Sequence, residues 1–259
     1  MNLSAEKIKE KLHPFFHRVE LIDTAESTNT LMKKTAGQTR QGHVIIARHQ
    51  TGGRGRNGRI FYSRKDRGIY LSFLLKPQLD IQRLQGITAA VAVAAARAAE
   101  QVCGVECGIK WVNDIYVNDR KIAGILCETA LKPGTASLEY LVVGLGMNVY
   151  PAVLPPDIAY TAGCVADYAV TDFDANDLVC AFLNNFYSIY SGFEDKGFME
   201  YYRRHCVLSG CEITVLEKNG SYSAKAVGVD DRGRLIIEKD GERQLLSSGE
   251  ITVRKNGPL

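Results

Sequence analysis

The chain has 259 residues, of which 46% are hydrophobic and 24% charged, and 32 basic against 29 acidic residues leave a net charge of +3. That mix excludes a disordered tail, a collagen-like fibre and a membrane bundle. So small a positive excess does not by itself point to nucleic acid, whose binders usually carry a clustered basic face.

Seven Cys, an odd number with no C-x-x-C, occur in a chain too large to need a disulfide framework. Five scattered His draw no zinc constellation. The first ten residues are charged and lack an apolar signal core, and the longest apolar run, Ala89 to Ala96, is far below the ~18–20 residues that span a bilayer. These features predict a cytoplasmic protein with reduced thiols.

In chain order, residues 1–17 read as a short amphipathic helix stopped near Pro14, with His13 and His17 four apart. A strand is expected at 19–23, then a helix capped by Ser27 or Thr28 and running to about Ala36. Strands follow at 43–48 and 69–75, and an Ala-rich helix at 86–102. Short strands at 108–111 and 115–117 lead through the turn Asn118-Asp119 into 121–128, a hairpin. The apolar run 138–149 reads as a central strand, and Pro151, Pro155 and Pro156 mark a loop. Helices are expected at 174–190 and about 196–206. After Leu208 four short alternating strands, the last spanning 244–254, read as a small antiparallel barrel of the SH3 or OB size class. The expected organisation is a short helical extension over 1–18, an α/β domain over 19–207 and a small β-domain over 208–259. The α/β domain is expected to be a mixed sheet with helices on one face.

Four segments carry polar groups that the fold alone does not require. Residues 52–59 read Gly-Gly-Arg-Gly-Arg-Asn-Gly-Arg. The glycines let backbone N–H groups approach an anion, and Arg54, Arg56 and Arg59 supply permanently charged forks for carboxylate or phosphate. Gly53-x-Gly55-x-x-Gly58 matches the dinucleotide fingerprint in form only, since β-like Ile60-Phe61-Tyr62 follows where a helix is needed. The phosphate-binding P-loop pattern also fails, for no Gly-Lys-Ser/Thr closes the loop. An Arg/Gly loop of this kind also suits a nucleic-acid backbone.

In the second segment, 110–128, Lys110, Asn113, Asp114 and Lys121 sit in an apolar β context where polar groups need partners. A lysine at the lip of an apolar pocket can clamp an oxyanion, and Gly124 inside a strand suggests close approach of a flat group. In the third, 141–149, Gly144, Gly146 and Asn148 share one strand face, leaving room for a ligand. The fourth, Glu26-Ser27-Thr28-Asn29, places hydroxyls at a helix start, either as caps or to orient a small polar ligand.

Together these segments resemble the bacterial biotin–protein ligases, whose hallmarks stand here as EST-N (26–29), QTGGRGRNGR (50–59), KWVNDIYV (110–117), DRKIAGIL (119–126) and VVGLGMNV (142–149). The resemblance runs from about residue 19 to the C-terminus. It implies a two-step reaction: biotin and ATP give biotinyl-5′-AMP, and a lysine of a biotin carboxyl carrier protein then takes the biotin. It implies Lys121 and Arg56 as catalytic groups. Biotin would be held by Ser27, Thr28, Asn29, Gln50, Gly53, Arg54, Gly55, Arg56, Lys121, Gly124 and Gly144. ATP and the adenylate would meet Arg56, Arg59, Phe61, Asn113, Asp114, Lys121 and Asn148. Mg²⁺ is expected through ATP rather than on a protein metal site.

The sequence departs from the family pattern at Asn57, where some members have Arg, at Val112 in place of Pro, and at Phe61 in place of a frequent Trp. The stretch before Val19 is short for the winged helix of the repressor members, so the resemblance is to the monofunctional form, with no DNA or membrane partner. Relatives often pair through the central sheet, which leaves a homodimer open. Two alternatives compete: a lipoate or octanoate–protein ligase, and a non-enzymatic nucleic-acid-binding protein.

Overall fold

The computed structural model describes residues 1–78, 81–135, 137–217, 220–247 and 252–256. The first helix, α1 (Ala5–Lys11), is shorter than expected. Ser4 caps it, accepting from the Lys7 amide, and the helix ends before the His13-Pro14 step. His13 and His17 therefore share no helix face; the His13 ring stacks on Tyr187.

A seven-stranded mixed sheet follows, in the order β1-β2-β3-β7-β6-β5-β4. Its strands are β1 (Arg18–Ala25), β2 (His43–Gln50), β3 (Gly68–Leu75), β4 (Gly108–Lys110), β5 (Asp114–Val117), β6 (Arg120–Leu131) and β7 (Leu138–Asn148). Only β1 and β2 run parallel; every other neighbouring pair is antiparallel. The two-residue turn between β5 and β6 carries Asn118 at φ 50°, the left-handed geometry of a tight hairpin.

Side-chain alternation on β7 divides two layers. Leu141, Val143, Leu145 and Met147 enter the main core, whereas Val142 joins a smaller cluster with Met32, Ala36, Ile45 and Leu74. Over the main core lie α3 (Ile87–Cys103) and α5 (Ala175–Ser191), packed on each other. Ten of the residues in α3 are Ala or Val between Ala89 and Ala99, with Arg97 the only charge, so α3 and its neighbours approach closely. The helix α2 (Thr28–Thr35) covers the opposite face, packing on β2, β3 and β7. Helices thus occupy both faces, not one. The face that α2 covers only in part is the one that carries the polar segments.

The region expected to be loop after Pro151 includes a one-turn helix, α4 (Pro156–Ala159). The strap behind it is stitched to β6: Lys121 N donates to Thr161 O (2.8 Å), and Gly163 N donates to Lys121 O (2.9 Å). After α6 (Phe198–His205), a five-stranded antiparallel sheet takes the order β11-β10-β9-β8-β12. Its strands are β8 (Glu212–Glu217), β9 (Gly220–Val229), β10 (Leu235–Lys239), β11 (Glu242–Leu246) and β12 (Thr252–Lys255). The expected last strand is thus two, at opposite edges of the sheet, and the centre of that reading, 248–251, lies outside the described residues. Among the described residues β11 and β12 do not pair, so the sheet is open there.

The small sheet docks through a turn of β9–β10. Gly233 (φ +77°) lies against Gly86 (φ +89°), the residue that starts α3; a Cβ on Gly233 would come within 3.3 Å of Gly86 Cα. Trp111 Nε1 donates to Gly233 O (2.9 Å) from a buried position. A buried carbonyl stripped of its donor costs about 1–3 kcal/mol. Trp111→Phe is therefore expected to lower Tm by several degrees, at about 2–4 °C per kcal/mol for a chain of this size. Thermal unfolding checks it: an unchanged Tm would mean that the indole N–H does not fasten the small sheet.

Candidate active site

A cavity of about 680 Å³ opens on the α2 side of the large sheet. All the predicted site residues except Gly53 and Asn148 line it. Its two ends differ in chemistry.

One end is neutral and hydrogen-bonded. Ser27 is the N-cap of α2, its Oγ accepting from Thr30 N (3.4 Å). Capping and cavity lining, set against each other in the sequence, are both true of it. Thr28 N donates to Gln50 Oε1 (2.9 Å), and Thr28 Oγ1 stands 3.2 Å from the same oxygen. Gln50 Nε2 donates to Ser63 Oγ (3.0 Å). Ser72 Oγ, fully buried on β3, lies 2.7 Å from Thr28 Oγ1 and 2.5 Å from Asn29 Oδ1. Asn29 Nδ2 donates to Leu126 O (3.1 Å) and Glu128 Oε2 (2.9 Å), while Lys33 donates to Glu128 Oε1 (2.6 Å).

The glycines of β7 are explained by this network. A Cβ on Gly144 would fall 2.2 Å from Asn29 Oδ1, and one on Gly146 would fall 2.6 Å from the Phe61 ring. The space foreseen for a ligand above these two positions is therefore filled by Asn29 and Phe61 of the chain itself. Gly53 serves the same network from outside the cavity wall: a Cβ there would fall 2.3 Å from Phe61 O and 3.1 Å from Gln50 Nε2.

The other end is basic. Arg54, Arg56, Arg59, Lys110, Lys121 and Arg254 line it, with Asp114 and Asp157 as the acids among the described residues, and Arg54 also reaches back toward the neutral end, its Nη1 3.9 Å from Glu128 Oε1. Arg56 and Asn57 form a single 3-10 turn with Gly58, in which Asn57 takes φ 54° and Gly58 φ +72°. Asn is among the few non-glycine residues that enter this region readily. Arg54 pairs with Ile60 across the loop, and Gly55 N donates to Arg59 O (2.7 Å). Arg56 donates to Asn113 Oδ1 (3.3 Å), and Asn113 Nδ2 donates to Ile125 O (2.9 Å).

Lys121 Nζ lies 2.8 Å from Asp114 Oδ1, a close ion pair without hydrogen-bond alignment. Burial lowers the pKa of Arg56 and of Lys110 from their ordinary values, and the Asp114 carboxylate opposes it in both. Gly124 sits under Lys121: a Cβ there would lie 3.2 Å from Nζ and 3.4 Å from the Phe61 ring.

Asn148 is set apart. Its Nδ2 donates to Gly163 O (3.1 Å), and it lines a second cavity of about 320 Å³ beyond the strap, with Arg64, Arg67 and Arg120. Sequence reasoning passed over Ser72, Ser63, Glu128 and Lys33, and gave Lys110 no role. Ser72 was visible as the one polar residue in IYLSFLL. No sequence signal marks Arg254, which the small sheet brings to the cavity. Among the described residues no three His, Cys, Asp or Glu side chains converge as a metal site, and no helix is long and apolar enough to cross a membrane. All seven Cys are free, five of them buried.

The architecture is that of a protein ligase. Residues 21–148 match the Biotin/lipoate A/B protein ligase family, and residues 208–254 match the Biotin protein ligase C terminal domain. The chain belongs to the biotin protein ligase family. It is 27% identical over 242 residues to the bifunctional ligase/repressor BirA of Bacillus subtilis, covering 92% of this chain and 73% of that protein. It is 27% identical over 246 residues to the biotin--[acetyl-CoA-carboxylase] ligase of Mycobacterium tuberculosis, covering 91% of this chain and 89% of that one. The biotin protein ligase from Aquifex aeolicus, solved in complex with biotin and ATP, superposes with a TM-score of 0.79 at 25% identity, over 92% of this chain and 99% of that one.

The network makes an electrostatic prediction. Burial alone would raise the Glu128 carboxyl, but hydrogen bonds from Lys33 and Asn29 outweigh it and hold the pKa below its ordinary value of 4.5. A carboxyl lowered on folding stabilises the protein above its unfolded pKa, and that contribution is lost as pH falls through the folded one. As pH falls from neutrality through 4.5 and below, the wild type should lose more stability than Glu128→Gln. Urea melts across that range measure it; parallel curves would mean that Glu128 is not ionised in the network.

Proposed function

We propose that this protein is an ATP-dependent biotin–protein ligase. It would join biotin and ATP into biotinyl-5′-AMP and then transfer the biotin to a lysine of a biotin carboxyl carrier protein. The observation that carries this reading is one cavity with a neutral hydrogen-bonding end and a strongly basic end, in a chain of this family. The neutral end suits the ureido head of biotin, with Ser27, Thr28 and Gln50 as its contacts and Asn29, Gly53 and Gly144 shaping the wall. The basic end suits the carboxylate and the phosphates.

In the first step a carboxylate oxygen of biotin forms a bond to the α-phosphorus, the α–β bridging P–O bond breaks, and pyrophosphate leaves. Lys121 would meet the carboxylate and α-phosphate together, leaving Asp114 as it does so. Arg54, Gly55 and Arg56 would close on the adenylate, and Arg59, Phe61, Asn113 and Asn148 would hold the nucleotide. Positive groups fixed in a cavity of low dielectric stabilise charge that develops on the phosphoryl oxygens. In the second step the neutral amine of the carrier lysine attacks the acyl carbon, the C–O bond to AMP breaks, and the amine sheds its extra proton. No covalent intermediate with the protein is needed. Mg²⁺ would arrive on the ATP phosphates and offset their charge; Asp114 and Asp157 are the acids of the cavity lining among the described residues.

Exchange of labelled pyrophosphate into ATP, run with biotin, lipoate and octanoate in parallel, tests the reading. Exchange with biotin alone is expected, followed by labelling of an added apo carrier. Exchange with lipoate or octanoate instead would make this a ligase for those acids, and exchange with none would overturn the ligase reading.

A further inference from the structure

The buried contacts behind Thr28 contain more oxygen pairs than protons. Three short oxygen–oxygen contacts run through them: Gln50 Oε1 to Thr28 Oγ1 (3.2 Å), Thr28 Oγ1 to Ser72 Oγ (2.7 Å) and Ser72 Oγ to Asn29 Oδ1 (2.5 Å). Only the two hydroxyls bring a proton to them. The amide oxygens are acceptors, and both amides are fixed in orientation. Asn29 Nδ2 faces Leu126 O and Glu128 Oε2, which can only accept, and Gln50 Oε1 faces the Thr28 N–H, which can only donate. One contact of the three therefore lacks a proton.

An unprotonated oxygen pair is repulsive, most of all at short range. The two shortest contacts must then hold the protons, and the longest goes without, since Gln50 Oε1 already receives the Thr28 amide. The result is a one-way relay in which Thr28 donates to Ser72 and Ser72 donates to Asn29 Oδ1. The Thr28 hydroxyl proton is spent inward, so toward the cavity this hydroxyl can only accept. Its neighbour Ser27 is the opposite: its Oγ accepts from Thr30 N, and its proton has no acceptor among the described residues. The cavity wall thus offers an acceptor beside a donor.

We infer that Ser72 is a specificity-determining positioning residue, which locks the Thr28 hydroxyl as an acceptor and so selects an acid whose head group presents an N–H there. The inference rests on the biotin reading and extends it to a residue that does not line the cavity. A ureido ring supplies a carbonyl beside an N–H; a dithiolane or an alkyl chain supplies neither. Selection works by leaving the acceptor unpaired when the wrong head group binds. A buried polar group stripped of its partner discriminates more strongly than one additional favourable interaction does.

The test is direct binding by calorimetry, without ATP, of biotin and of its two cyclic carbamate analogues, in which one ring N–H or the other is replaced by oxygen. Wild type is expected to prefer biotin over at least one analogue by about 10-fold or more. In Ser72→Ala the Thr28 hydroxyl loses its 2.7 Å partner and keeps only Gln50 Oε1 at 3.2 Å, an oxygen that already receives the Thr28 amide, so the hydroxyl can turn and donate to a ligand acceptor. That analogue should then bind more tightly than it does to wild type while biotin weakens, and the preference should fall to within about 3-fold. A purely structural role would weaken both ligands alike. Ser72→Thr, which keeps the hydroxyl, should restore the preference. Thr28→Val should abolish it even if Ser72→Ala does not fold, and circular dichroism reports the fold of each variant. A preference unchanged in Ser72→Ala and in Thr28→Val would overturn the inference. Failure of wild type to bind biotin would instead overturn the ligase reading on which it rests.

Discussion

The site depends on the seating of α2 against β7. Gly144 leaves a hollow in the sheet surface, and the Asn29 side chain fills it so closely that even a methyl group would collide. From that hollow Asn29 reaches Leu126 and Glu128 on β6 and meets Ser72 on β3. One amide therefore ties the start of a helix to three strands. Buried polar groups cost free energy unless they are satisfied, and here each new partner brings a further residue into place. The N-cap Ser27 and the inward-facing Thr28 take their positions from this anchor, and Gln50 from Thr28 in turn. Gly146 repeats the device one step along the strand, where the Phe61 ring closes over it and fixes the far end of the arginine loop.

The basic end is built differently. Its cations come from separate elements: the loop after β2, the β4–β5–β6 hairpins, and β12 of the small sheet. Six basic residues around two acids repel one another, and Asp114 offsets part of that repulsion through its pair with Lys121. Such a field attracts a polyanion and strengthens every contact made where water is excluded. The small sheet belongs to this arrangement, because the Trp111–Gly233 bond fastens it beside the strand that ends in Lys110 and its β12 carries Arg254 to the cavity.

Much of this was legible in the sequence because its signals are local. Alternating apolar residues and glycine turns located most strands to within one or two residues, and the Ala-rich run located α3. The motif segments converge because β6 and β7 pair in a register that sets Gly124 opposite Gly146. Long-range pairing and the direction of polar groups were not legible. The split of the last expected strand depends on which edge each half joins, which no local pattern encodes. The sequence suggested that Gly144 and Gly146 clear space for a ligand; the structure fills that space with Asn29 and Phe61, because side chains distant in the chain compete for the same hollow. Ser72, polar in an apolar strand, was passed over, because its meaning depends on the oxygen that stands on either side of it in the fold.

In the proposed reaction Lys121, paired with Asp114 in the cavity wall, is the cation that would carry the first chemical step. Single-turnover formation of biotinyl-5′-AMP, with biotin and ATP both saturating, measures that step apart from binding and carrier transfer. Lys121→Ala should slow it by at least about 10²-fold, as the loss of one preorganised transition-state donor does, while biotin binding to the neutral end persists. A rate near that of wild type in a folded Lys121→Ala protein would contradict the account.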